Sequence, residues 1–237
     1  MPLSLVGSEM CIRDRTRFVE SAKFSFNAGK PIIVYKTGRS QIGKRIAKSH
    51  TGSLSGNNEL YSALFSQLAI TEVHDPIQLL ETAKLFSVSS PIKTNKILAI
   101  TCSGGGAAMV ADNAEELKLN LPNFSKSQKI SLEKVLPKIA TISNPLDYTT
   151  PIWGISEKTG PVFKSALKQK YSIAILVQDF PNAQINETEK LYLNDTEAFI
   201  NECRLAELTP IICSTLPENI NEKIGIKILK LSLIHIS

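Results

Sequence analysis

The sequence predicts an α/β protein built as two units in tandem, each a parallel sheet covered by helices. Three observations point there. Short runs that are apolar throughout recur along the chain: Ile32-Ile33-Val34-Tyr35, Ile97-Leu98-Ala99-Ile100, Ile173-Ala174-Ile175-Leu176-Val177 and Ile211-Ile212-Cys213. Stretches with helical spacing of apolar residues lie between them. Glycine-containing turns follow two of the runs. A continuous apolar run suits a strand buried on both faces, and its alternation with helices suits βα units.

The elements follow in order. Residues 16–28 read as a helix and 31–35 as a strand ended by Gly38. The stretch Ser49-His50-Thr51-Gly52-Ser53-Leu54-Ser55-Gly56 reads as a loop. It leads into a helix beginning near Asn57, with Leu60, Tyr61, Leu64, Phe65 and Leu68 inward. Asp75-Pro76 supplies an N-cap and a proline at the first helical position, opening a helix with Ile77, Leu80, Ala83 and Phe86 as its buried stripe. Residues 87–95 form a linker. The second unit begins with the strand at 97–100, which turns at Gly104-Gly105-Gly106 into a helix carrying Val110, Ala114 and Leu117 on one face. Ser125 with Gln128 resembles a capping box. A strand at 173–177, a helix at 186–204 with Leu191, Ala198 and Phe199 inward, and a strand at 211–213 complete the unit.

Composition narrows the function. The chain has 237 residues with 43% hydrophobic content, enough for one or two cores. No apolar run is long enough to cross a bilayer. The net charge of +5 is mild. Lys36, Arg39, Lys44, Arg45 and Lys48 crowd ahead of the His50 loop. They read either as a solvated face or as a positive field for phosphate. No aromatic residues interleave with them, which argues against nucleic acid. Cysteines at 11, 102, 203 and 213 show no paired spacing, so the expectation is a reducing, cytoplasmic compartment and no metal site.

The two ends read as translated adapter sequence. Residues 1–15, closing with Ser8-Glu9-Met10-Cys11-Ile12-Arg13-Asp14-Arg15, and residues 231–237 are set aside on that reading. The expected units are then residues 16–90, truncated at the start, and residues 96–230.

The candidate chemistry centres on His50. It sits among Ser, Thr and Gly rather than packing residues. An imidazole there supplies a nucleophile, while backbone N–H groups and a helix N-terminus hold the phosphate it acquires. Thr51, Gly52 and Gly104 to Gly106 are the expected N–H donors. The triple glycine alone fits a tight turn in almost any βα unit. It is neither a Walker loop nor a nucleophile elbow. His74 and Cys102 read as structural.

Resemblance to a family sharpens this. Ser-His-Thr-Gly-Ser-Leu-Ser-Gly at 49–56, preceded by Lys30-Pro31-Ile32-Ile33-Val34-Tyr35-Lys36-Thr37-Gly38-Arg39-Ser40, resembles the NDP-forming acyl-CoA synthetases, which include the ADP-forming acetate–CoA ligases and relatives of succinyl-CoA synthetase. Thr101-Cys102-Ser103-Gly104-Gly105-Gly106-Ala107-Ala108-Met109-Val110-Ala111-Asp112, Leu136-Pro137 and Ser143-Asn144-Pro145-Leu146-Asp147 resemble the same family's next domain. The motif order is kept over residues 17–230.

The resemblance implies two flavodoxin-like, succinyl-CoA synthetase-like domains and a ligase reaction. Acyl-CoA and phosphate give acyl phosphate and CoA. The phosphoryl group passes to a histidine, here His50, and then to ADP, making ATP. Asn144 and Asp147 would lie near the phosphate and acid. CoA, ATP/ADP and Mg²⁺ would be held mainly by a CoA-binding domain and an ATP-grasp domain or subunit, both absent from this sequence, so the piece alone would be inactive. The rival reading is a catalytically silent, acyl-sensing regulatory domain of a larger protein such as an acetyltransferase fusion.

Overall fold

The computed structural model describes residues 15–51, 57–89, 94–180 and 188–216, with residues 92, 220, 222, 224–226 and 228. Two units emerge, one up to Ser87 and one from Val88.

The first unit runs α1 (Arg15–Asn27), β1 (Ile33–Tyr35), α2 (Gln41–Thr51), α3 (Asn58–Gln67), β2 (Thr71–Val73) and α4 (Pro76–Val88). β1 and β2 pair in parallel, Ile33 opposite Thr71. Ala22, Phe65 and Ile70 form a small core, joined by Phe18, Ile32, Val34, Tyr61 and Leu68. Asn57 caps α3 by accepting the Glu59 N–H at 3.0 Å, and Asp75 caps α4 by accepting the Gln78 N–H at 2.8 Å.

Two expected faces are corrected. Leu60 is exposed, and so are Ile77 and Leu80 on α4. Ala83 is exposed as well; Phe86 of the expected stripe is partly buried, as are Leu79 and Leu85 outside it. A helix apolar on two sides does not disclose by periodicity which side is covered.

The second unit holds a four-stranded sheet, ordered β4-β3-β5-β6 and parallel throughout. Its strands are β3 (Ile97–Thr101), β4 (Leu146–Asp147), β5 (Ile173–Val177) and β6 (Thr209–Cys213). Its helices are α5 (Gly104–Glu116), α6 (Lys126–Glu133), α7 (Ser156–Ala166) and α8 (Glu189–Leu205), with a 3-10 turn at Thr150–Ile152. Leu98 pairs with Ala174 and Ile100 with Leu176, so one sheet face presents these four side chains to the main core. Leu132 of α6, Val162, Phe163 and Ala166 of α7, and Phe199, Ile200 and Cys203 of α8 cover them. Phe163 meets Tyr148 and Phe199 edge-on, at 5.3 and 5.7 Å between centroids. The capping box is present in full: Ser125 accepts from Gln128 N–H, and the Gln128 side chain returns to Ser125 N–H. Of the expected α5 face, Ala114 is buried while Leu117 is exposed.

A buried carboxylate knots this unit together. Asp195 of α8 is wholly buried. It accepts from the Tyr148 hydroxyl at 2.7 Å, the Gly154 N–H at 2.9 Å and the Thr159 hydroxyl at 2.9 Å. Those donors come from the end of β4, the turn before α7, and α7 itself. Burial pushes the Asp195 pKa up, and the three donors restrain that rise. Gly154 adopts φ +76, and a Cβ there would meet the Leu191 Cβ at 2.6 Å. Only glycine meets both demands.

Three outcomes follow for unfolding experiments. Asp195→Ala leaves three buried donors unmatched and lowers stability by about 3 kcal/mol or more, read by denaturant unfolding. The folded pKa of Asp195 lies above its unfolded value of 3.8. Its contribution is therefore most favourable below that value and is lost as pH rises through the folded pKa; Asp195→Asn flattens that part of the stability–pH curve. Gly154→Ala costs more than the roughly 1 kcal/mol expected of an unsuitable backbone angle alone, because the Leu191 clash adds to it.

Candidate functional site

His50 lies in the last turn of α2, not in a loop. Ser49, His50 and Thr51 are helical because α2 opens on a side-chain cap, Ser40 Oγ accepting the Gly43 N–H at 3.0 Å. It then runs through Lys44, Arg45, Ala47 and Lys48, which all tolerate helix, before it reaches Gly52. The sequence reading weighed the small residues at 51–56 and missed the Ser40 cap. Gly52 and the side chains of His50 and Thr51 lie outside the described residues.

This placement has an electrostatic consequence. A helix C-terminus carries about half a negative charge, so α2 itself disfavours a dianion beside His50. The next helix in the chain, α3, begins at Asn58, and its N-terminal pole has the opposite sign.

His74, read as structural, receives a hydrogen bond on Nδ1 from the Arg39 guanidinium, and its carbonyl accepts a second at 2.9 Å. Its N–H donates to Gln78 Oε1 at 2.9 Å.

In the second unit Gly104, Gly105 and Gly106 form the first turn of α5 rather than a turn before it, with Ser103 as N-cap. Gly106 must be bare: a Cβ there would lie 2.8 Å from Thr101 Oγ1. A Cβ on Gly104 would stand 3.5 Å from Asp147 Oδ2, so the structure does bring Asp147 to the glycine turn. Asp147 Oδ1 accepts the Thr149 N–H at 2.8 Å, which orients the carboxylate. β3 and β4 end here, at Thr101 and Asp147, where open α/β sheets gather ligands.

Asn144 is tied to main chain. Its Nδ2 donates to the carbonyls of Ile97 at 2.9 Å and Pro122 at 3.1 Å, and its Oδ1 accepts the Ala99 N–H at 3.1 Å. These partners are main chain of β3 and of the segment before α6, so the amide ties β3 to that segment. Cys102 is half-buried, and desolvation raises its thiol pKa, which keeps it protonated and inert.

Sequence reasoning missed the Tyr148–Asp195 pair and Thr149. Thr149 has φ +71 and a buried hydroxyl oxygen without a partner. Nothing in the local pattern marks Asp195 as inward, since an acid in an amphipathic helix reads as solvated. Among the described residues, no group of three His, Cys, Asp or Glu is placed to hold a metal ion. No helix among them is long and apolar enough to cross a membrane.

Residues 11–86 match the family described as the succinyl-CoA ligase like flavodoxin domain. The chain is 41% identical over 131 residues to the ADP-forming acetate–CoA ligase of Methanocaldococcus jannaschii, covering 55% of this chain and 18% of that one. It is 34% identical over 165 residues to subunit alpha of the ADP-forming acetate–CoA ligase I of Pyrococcus furiosus, covering 70% and 35%. The chain thus spans about a fifth to a third of the length of these curated relatives. Among solved structures it resembles a dinucleotide-forming acetyl-coenzyme A synthetase 1 from Ca. Korarchaeum cryptofilum in complex with phosphate and ADP, with a TM-score of 0.77 at 19% identity, covering 94% of this chain and 47% of that one. That likeness concerns the fold, and it agrees with parallel α/β sheets of the flavodoxin-like kind. With a matched domain over residues 11–86 and ADP-forming acetate–CoA ligases at up to 41% identity, the chain is similar to the NDP-forming acyl-CoA synthetases.

Proposed function

We propose that this chain supplies the phosphohistidine part of an ADP-forming acyl-CoA ligase. The observation that carries the reading is the Ser49–Gly56 sequence, which starts in the last turn of α2 and lies inside the span, residues 11–86, that matches the succinyl-CoA ligase like domain. In the forward direction a ring nitrogen of neutral His50 attacks the phosphorus of an acyl phosphate. A P–N bond forms, the P–O bond to the acyl group breaks, and the carboxylate leaves with the bonding electrons. In the second step a terminal oxygen of ADP attacks the same phosphorus, the P–N bond breaks, and imidazole is regenerated as ATP forms. Neither step calls for a redox partner. Both depend on positioning and on neutralising charge at the transferring group.

On this reading the N–H groups at the start of α5, bared by Gly104, Gly105 and Gly106, face anionic oxygens of phosphate or acyl phosphate. Asp147 opposes a second dianion there and orients the acid end of the substrate. CoA, ATP/ADP and Mg²⁺ are held by the other parts of the enzyme, a CoA-binding domain and an ATP-grasp domain or subunit. When bound, the metal neutralises phosphate charge. This chain contributes the acceptor imidazole and the main-chain donors.

The test uses the assembled ligase, ATP labelled on its terminal phosphate, and Mg²⁺. Wild type acquires label that is acid-labile and base-stable. His50→Ala acquires none and loses about a thousandfold or more of ligase turnover. Unchanged labelling in His50→Ala would sink the assignment.

A further inference from the structure

The cations ahead of α2 are not one undifferentiated basic run. β1 ends at Tyr35, and the chain from Lys36 to Ser40 folds back against the first turn of α2. Gly38 adopts φ +69, and a Cβ on Gly43 would stand 3.2 Å from the Gly38 Cα, so two glycines permit the close approach. Lys36 is half-buried, with Nζ 5.1 Å from the centre of the Tyr61 ring and donating to the Thr37 carbonyl at 3.4 Å. Its pKa is lowered, first by desolvation and then by the field of Lys44, with Arg39 adding to it; Glu72 acts the other way. Arg39 is held by His74 on two of its nitrogens, so its charge is fixed in place without a carboxylate taking part. Lys44 sits in the first turn of α2. Among the described residues, the ion pair observed is Lys84 with Glu81, elsewhere on the unit.

The Gly38–Gly43 approach thus brings the Lys36–Arg39 segment against the turn that carries Lys44, and Lys36 feels the charges of both Lys44 and Arg39, with Glu72 opposing them. Crowding like charges costs free energy unless a counter-charge arrives. Arg39 is pre-ordered, which removes part of the entropy cost of capturing that counter-charge. The α2 dipole adds the same sign at this end.

We propose that Lys36, Arg39 and Lys44 form a binding site for a phosphate group, clamped by His74 and separate from His50. Gln41 to His50 spans nine residues, about 14 Å along the helix axis, so the cradle and position 50 of the backbone lie at opposite ends of α2. The bound group is inorganic phosphate or the phosphate of an ester such as ADP or CoA; the chemistry recognised is the same. The site stands independently of the phosphotransfer role of His50.

The experiment is an amide-resolved NMR titration of the isotopically labelled chain at constant ionic strength, with inorganic phosphate, ADP and CoA as separate probes and adenosine as the uncharged control. The expected result is a saturable shift of the Gly38–Lys44 amides and none with adenosine. Response to phosphate alone assigns the inorganic ion, and response only to ADP or CoA assigns the ester. Arg39→Gln and Lys44→Gln each weaken binding about tenfold, while Arg39→Lys recovers part of the loss. Lys44→Gln is a surface change on a helix and leaves the fold intact, so it decides the matter if Arg39→Gln unfolds the loop. His50→Ala binds as wild type does. The proposal is overturned if no probe gives a saturable shift, if Lys44→Gln titrates like wild type, or if His50→Ala abolishes the response. Acid-labile label that persists in His50→Ala, with this titration intact, would refute the His50 reading alone.

Discussion

Every registered strand pair in this protein runs parallel, and that constraint decides where its chemistry can lie. Parallel strands cannot be joined by tight hairpins, so the chain returns through helices. Each return puts a strand's carboxyl end beside the start of a helix, where unpaired N–H groups point outward. β1 delivers Lys36 and Arg39 to the start of α2, and β3 delivers Ser103 and three glycines to the start of α5. The same topology repeats the same electrostatic motif in both units, with different side chains attached.

His50 departs from that rule. It stands at the finish of α2, where the helix field has the wrong sign for a phosphate dianion. The proposed phosphoramidate would draw its neutralisation from elsewhere; the next described helix, α3, starts at Asn58 and is capped by Asn57. The proposed phosphate cradle at the start of α2 and the proposed phosphate carrier at its end would thereby be separated along one helix.

Much of the fold was legible. The continuous apolar runs at 97–100 and 173–177 became the central strands β3 and β5, because burial on both faces leaves no polar alternation to confuse the reading. The Asp75 and Ser125 caps stood out because each has local chemistry, a side-chain oxygen within three residues of a free N–H. What escaped notice depends on contacts distant in sequence. β2 and β4 are two or three residues long and owe their strand character to their partners. Asn144 looked like a substrate residue because Asn-Pro-Leu-Asp belongs to a motif, yet its amide bonds β3 residues 45 and 47 positions away. Asp147 kept its place beside Gly104. Leu60 and Ile77 misled because apolar side chains in small units are often left uncovered.

The Asp195 knot also carries an evolutionary implication. Its two oxygens serve a phenol, a threonine hydroxyl and a main-chain amide at once. The amide cannot mutate away, so an acceptor is always required at that spot. Positions 148, 159 and 195 are therefore not free to drift one by one: a change at any of them favours a compensating change at another. Descendants of this sequence should either retain the trio or exchange it together for an apolar set that leaves the Gly154 amide another acceptor.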